Sequence, residues 1–171
     1  MKKIRIEKLT LNFGAGTDQK KLEKGIKLIK MITGKEPVKT KTTSRIPGWG
    51  LRPGLAIGCK LTIRGPEAAE IIQKLVTAKD TMLSLRNFDN NGNVSFGIHE
   101  YVDIPGVKYD PELGIIGLEA SITLSRPGFR VRTRKIQKRK VPLRHRIAKE
   151  EAVTFFKESF GAKIKEEQDD L

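Results

Sequence analysis

Leu55-Ala56-Ile57-Gly58-Cys59-Lys60-Leu61-Thr62-Ile63-Arg64 alternates without a break. Leu55, Ile57, Cys59, Leu61 and Ile63 are apolar, and the residues between them are small, polar or basic. Successive side chains of a strand point to opposite faces, so this is a strand with one buried and one open face. Residues 3–13 carry the same pattern, with Leu9, Leu11 and Phe13 against Lys8, Thr10 and Asn12. It recurs in Val94, Phe96 and Ile98, and again over 115–125, where Ile116, Leu118, Ala120, Ile122 and Leu124 oppose Gly117, Glu119, Ser121 and Thr123. The simplest assembly of such strands is an α+β fold, a largely antiparallel sheet with helices packed on one face. The other face then carries Lys8, Thr10, Asn12, Lys60, Thr62, Arg64, Ser121 and Thr123. Hydroxyls, an amide and cations on one open surface suit phosphate and 2′-hydroxyl contacts.

The intervening segments supply the helices. After the glycine break at Gly14 and Gly16, Thr17 is placed to cap a helix with Leu22, Ile26, Ile29 and Ile32 as its apolar stripe, and Gly34 ends it. Pro66 opens a second helix through Ala78, with Ala68, Ile71, Ile72 and Leu75 inward. A third spans Ala148–Phe160, with Ala152, Val153, Phe156 and Phe160 apolar and Gly161 at its end. A short strand at Val38–Lys41 leads into a long loop, residues 42–54, rich in proline and glycine. Asn90-Asn91-Gly92-Asn93 is a turn signal, and residues 103–114 read as irregular.

Charge is concentrated in one place. Between Arg126 and Arg146 stand ten Lys or Arg and no Asp or Glu, whereas the whole chain carries a net +14. Such a run repels itself unless polyanion surrounds it, and a phosphate backbone is its natural partner. Pro127, Gly128 and Pro142 oppose one continuous helix, so the expectation is an extended segment that orders on RNA. His145 lies inside the run and is expected to face RNA with it.

The 171 residues suit a single domain, residues 1–165, that includes the 42–54 loop and a basic extension over 126–147, with a frayed acidic tail at 166–171. No apolar run approaches the roughly 20 residues of a membrane span, and Met1-Lys2-Lys3 leads into an alternating pattern instead of a signal peptide. The lone Cys59 fits a reducing cytosol and, on the apolar side of its strand, reads as a buried structural thiol. Gly14 and Gly16 lack the Gly-Lys-Ser/Thr of a phosphate loop, since Thr17-Asp18-Gln19 follows. His99-Glu100 lacks the second histidine of a zinc motif, Asp103 standing where it is required. No catalytic residue, metal ligand or cofactor is expected. Trp49 either plugs the base of its loop or stands exposed to stack on a nucleotide.

Six blocks stand in order between Leu11 and Val131, with the basic run after them. They are Leu11-Asn12-Phe13-Gly14-Ala15-Gly16, Ile32-Thr33-Gly34-Lys35-Glu36-Pro37-Val38, residues 57–65, Asn91-Gly92-Asn93-Val94-Ser95-Phe96-Gly97-Ile98, Tyr109-Asp110-Pro111 and Arg126-Pro127-Gly128-Phe129-Arg130-Val131. In these blocks the chain resembles the large-subunit ribosomal protein family that anchors 5S rRNA in the central protuberance, in its archaeal and eukaryotic branch. The resemblance implies a five-stranded antiparallel sheet with helices on its convex side and 5S rRNA on its concave side. The family's RNA-contacting asparagine falls on Asn12 and its strand threonine on Thr62. Lys35 stands where the family often has glutamine, which replaces an amide contact with a phosphate contact.

The RNA-binding positions are then Asn12 and Thr62 by hydrogen bonding, Lys35, Lys39, Lys41, Lys60 and Arg64 by phosphate pairing with Thr40 beside them, and Arg126, Arg130, Arg132 and Arg134 in the basic segment. The resemblance also implies that the 42–54 loop reaches P-site tRNA through Thr43, Ser44, Arg45, Trp49 and Arg52. Further implied partners are large-subunit rRNA and, around residues 100–115, a ribosomal protein of the small-subunit head, in the cytoplasmic ribosome and away from any membrane. The competing readings are a free RNA chaperone or tRNA-binding module, and a phosphate-using transferase built on Gly14–Thr17.

Overall fold

The computed structural model describes residues 1–165, so the acidic tail at 166–171 lies outside the described residues. Elements are numbered in chain order. The main sheet contains β1 (Arg5–Gly14), β2 (Val38–Lys41), β3 (Ala56–Ile63), β5 (Val94–Ile98) and β6 (Leu118–Ser125). Its order is β2-β3-β1-β6-β5, with every neighbouring pair antiparallel. A second, two-stranded parallel sheet joins β4 (Met82–Ser84) to β7 (Lys163–Lys165). Its three-residue strands are too short to show periodicity, and the sequence reading missed them.

The helices are α1 (Gln19–Thr33), α2 (Pro66–Ala78), a single turn α3 (Arg130–Thr133) and α4 (Lys149–Phe160). The apolar sheet face is buried with them: Leu9, Leu11, Cys59, Ala120 and Ile122 are fully covered, together with Leu28 and Ile29 of α1 and Ile72, Leu75 and Val76 of α2. Each large apolar side chain so buried contributes roughly 1.5–3 kcal/mol relative to exposure. α1 lies close on β1 because Gly25 has no side chain; a Cβ there would sit 2.1 Å from the Phe13 ring.

Details of α1 differ from expectation. Asp18, not Thr17, is the N-cap; its carboxylate accepts from the backbone N–H groups of Lys20 and Lys21 at 2.9 and 3.2 Å. Leu28 is fully buried and Ile26 only partly, so the stripe is rotated toward Leu22, Gly25, Leu28 and Ile29. Gly34 closes the helix in the left-handed conformation as the sequence indicates. β6 begins at Leu118 and not at 115, leaving Ile115 exposed.

The basic segment departs most from its reading. It is folded back on the protein by Phe129, Val141 and Ile147, which are buried, and by a backbone hydrogen bond from Arg139 to Val131. The apolar residues interspersed among its cations provide the anchors that an extended RNA-bound strand would leave in water.

Candidate nucleic-acid interface

Register assembles the open face from residues far apart in the chain. Asn12 on β1 lies opposite Lys60 on β3 and Glu119 on β6, and Glu119 lies opposite Gly97 on β5. One step along, Thr10 lies opposite Thr62 and Ser121, and Ser121 opposite Ser95, a row of hydroxyls across the sheet. Lys8 lies opposite Thr123. Lys60, Thr62, Ser95, Glu119 and Ser121 are exposed and Asn12 is half-buried, so the face is open to a ligand.

Glu119 gives this face an acid that the charge reading did not weigh. The Asn12 amide Nδ2 donates to its carboxylate at 3.0 Å. A carboxylate accepts and does not donate, so this bond fixes which way the amide points. The Asn12 carbonyl oxygen is left for a ligand, and an acceptor so placed suits a 2′-hydroxyl or a base N–H, not a phosphate oxygen.

Not every expected cation shares that face. Lys39 lies opposite Cys59, whose side chain is fully buried on the helix side, so Lys39 stands on the other side of the sheet from Asn12. A register shift after Thr40, itself opposite Gly58, places Lys41 opposite Ala56 on the open-face register. Lys35 follows α1 and is ion-paired with Glu67 of α2, so a phosphate would compete with a carboxylate for it. Arg64 is exposed just beyond β3. Burial pushes the Cys59 thiol up to about 11, as expected for an inert structural thiol.

The 42–54 loop is an ordered hairpin-like projection. Thr42 and Leu55 close its base through a backbone bond of 2.9 Å, and Ile46 and Leu51 exchange bonds of 3.1 Å. Leu51 is the buried plug, and Trp49 is 72% exposed in a single 3-10 turn at Pro47–Trp49. The structure thereby selects the exposed alternative for Trp49. Thr43, Ser44, Arg45 and Arg52 are exposed around it.

In the basic segment, Arg126 is not an RNA-facing cation. It is 5% exposed, pairs with Glu151 of α4 at 2.6 Å and donates to the Arg146 carbonyl at 3.1 Å. Its acid lies 25 residues away, so a scan for acids within the run could not find it. Glu151 also accepts from the Ala148 backbone N–H at 3.0 Å, and that bond, followed by Arg126, holds its carboxyl below the usual glutamate range. His145 is likewise internal: its Nε2–H donates to the Pro127 carbonyl at 3.0 Å and its ring meets Phe129 edge-on. Arg130 and Arg132 remain exposed, and half-buried Arg134 donates through Nε to the Gln137 carbonyl at 2.9 Å. Among the described residues, no group of His, Cys, Asp and Glu is arranged to hold a metal ion, and no helix is long and apolar enough to cross a membrane.

Comparison with known proteins covers nearly the whole chain. Residues 1–52 match the family model for ribosomal protein L5, and residues 56–155 match the model for the C-terminus of the same ribosomal family. The central strand β1 comes from the first segment and its neighbours β3 and β6 from the second, so both build one sheet. The chain is similar to the large ribosomal subunit protein uL5 of Nanoarchaeum equitans, 51% identical over 96% of this chain and 97% of the relative. It is similar to uL5 of Sulfolobus acidocaldarius at 45% identity, over 97% and 93%. For uL5 of Methanosphaera stadtmanae the identity is 40%, over 96% and 98%.

Proposed function

The chain belongs to the ribosomal protein L5 family, and we propose that, as a non-catalytic constituent of the large ribosomal subunit, it grips 5S rRNA with the open face of its sheet. The observation that carries this reading is the geometry of Asn12 and Thr62. They lie on adjacent strands in successive rows of one face, each on a fixed backbone, Asn12 beside exposed Lys60 and Glu119 and Thr62 itself exposed opposite Thr10. Groups held on a sheet lose little freedom when they bind, so they can select one RNA shape over another. Lys60, Lys41 and Arg64 border the face and pair with phosphates. Arg130, Arg132 and Arg134 extend the contact to large-subunit rRNA.

The 42–54 projection carries Trp49 toward P-site tRNA, where an exposed indole on a rigid tip stacks on the RNA. Exposed Val102, Tyr109 and Ile115, in the irregular stretch 100–115, form the contact with a protein of the small-subunit head.

The test is binding to 5S rRNA against a length-matched structured RNA at near-physiological salt. Wild type should prefer 5S rRNA, and Asn12→Ala/Thr62→Ala should lose about tenfold or more of that preference, each hydrogen bond contributing of order 1 kcal/mol. Equal binding of both RNAs by wild type would replace the anchor with a general RNA chaperone.

A further inference from the structure

A cavity of about 500 Å³ lies between the basic segment and the Asn91–Asn93 turn, away from the open sheet face. Its size falls within the range of built small-molecule sites, roughly 300–1,000 Å³. Arg132, Lys138, Arg139, Lys140 and Arg146 line it, and no acidic residue does among the described residues. Leu124, Phe129, Val141 and Ile147 form an apolar floor.

The walls are set by the fold. Asp89 holds the turn by accepting from the backbone N–H groups of Asn91 and Asn93 at 2.8 and 2.7 Å. The turn packs on Ile147 so closely that a Cβ at Gly92 would lie 2.6 Å from its Cγ2. On the opposite wall, the Arg126–Glu151 pair ties down the carbonyl of Arg146.

The lining has two kinds of chemistry. The Arg132 guanidinium lies 5.6 Å from the centroid of the Phe129 ring, a planar cation over an aromatic that can continue a stack with a base. The Asn93 Nδ2 is committed to Asp89 at 2.6 Å, which leaves its Oδ1 to accept from a ligand. A backbone phosphate alone would use the cations but neither the floor nor the amide. A duplex presents its phosphates on a convex ridge and does not enter a recess.

We propose that this cavity receives one unstacked nucleotide of ribosomal RNA, its phosphate among the cations and its base on Arg132 and the apolar floor. The inference rests on the RNA-binding reading above and adds a second, separate contact, one open to any unstacked nucleotide and so a means of holding RNA, not of choosing it.

The test uses adenosine 5′-monophosphate as probe on the full chain, followed by backbone amide NMR at low salt. AMP should shift the signals of Asn91, Gly92 and Ile147 and bind about tenfold more tightly than ribose 5-phosphate, which lacks the base. Equal binding of the two would reduce the cavity to an anion site and overturn the proposal. Lys138→Glu/Lys140→Glu changes two exposed side chains and should abolish the AMP shifts; their survival would also overturn it. Asn12→Ala/Thr62→Ala should keep the AMP shifts while losing 5S preference, which separates this site from the sheet. Finally, 5S rRNA and a large-subunit rRNA fragment are added in separate arms. Whichever displaces AMP supplies the nucleotide, and displacement by neither refutes the assignment.

Discussion

The open sheet face and the basic segment are two surfaces built on opposite principles. The sheet face carries few charges, one of them the acid Glu119, but its groups stand on a rigid lattice with neighbours fixed by register. The basic segment carries ten cations in irregular backbone, several of them at the ends of exposed, flexible side chains. Cation density raises affinity for any polyanion and makes it salt-dependent, because each neutralised phosphate releases counterions. Hydrogen bonds at fixed positions add less energy and far more discrimination. On the proposed function, one chain separates holding RNA from choosing it.

The sharpest way to break that division is salt. If six to ten phosphates are paired, affinity for 5S rRNA should fall by about three to five decades between 50 and 200 mM salt. Replacing Arg130, Arg132, Lys138 and Lys140 by Gln should flatten the slope of log affinity against log salt by about 0.7–0.9 for each phosphate no longer paired, with 5S preference retained. A vanished preference with an unchanged slope would mean the two surfaces have been assigned the wrong way round.

Next in size is the pin that fixes the basic segment. Glu151→Gln leaves the buried Arg126 guanidinium without its counter-charge and should cost about 2–3 kcal/mol in denaturant unfolding, with exposure of Phe129 and Val141. The same pair sets a pH dependence. The Glu151 carboxyl is lowered in the fold, so its contribution is full above the ordinary glutamate value of about 4.3 and is lost as pH falls through the lower folded value. Unfolding midpoints across pH 2–6 should show a steeper acid loss for wild type than for Glu151→Gln, on the order of one titrating group.

A smaller effect is confined to the projecting loop. Trp49→Ala should leave 5S affinity and stability unchanged, the side chain being exposed, and should weaken P-site tRNA retention on assembled ribosomes by about tenfold. Parallel loss of 5S affinity would show that the loop and the sheet are one surface.

The smallest expected change is at Glu119. Glu119→Gln frees the Asn12 amide to turn over and removes a charge that repels phosphate. Binding to unrelated RNA should strengthen and 5S preference should shrink, each by less than about tenfold. An unchanged preference would remove Glu119 from the recognition surface.

The strands on which the site rests were legible because a side-chain period of two is visible within a few residues. Leu9, Leu11 and Phe13, or Cys59 and Ile63, name their own buried face, and Asn12 and Thr62 follow onto the other. The helix stripe of α1 was legible in type and wrong in rotation, because the missing side chain at Gly25 and the Phe13 ring it admits decide which residues face the sheet. Lys39 was assigned by its charge alone, and only its pairing with Cys59 places it on the helix side. The loop announced itself by proline and glycine, but not that Leu51 instead of Trp49 would be its plug.

Sequence by itself determined the elements, the two-faced strands, the excess of positive charge and, through its ordered blocks, the family. These depend on local periodicity and composition, which are carried by neighbours in the chain. Tertiary structure alone decided that Asn12 is oriented by Glu119, 107 residues away, and that Arg126 is a buried structural cation held by an acid on another helix. It also decided that the basic segment encloses a cavity with the turn at Asn91–Asn93. Those facts rest on electrostatics and packing that act through space over a few ångströms, and no local pattern of residues records which distant group will occupy that space.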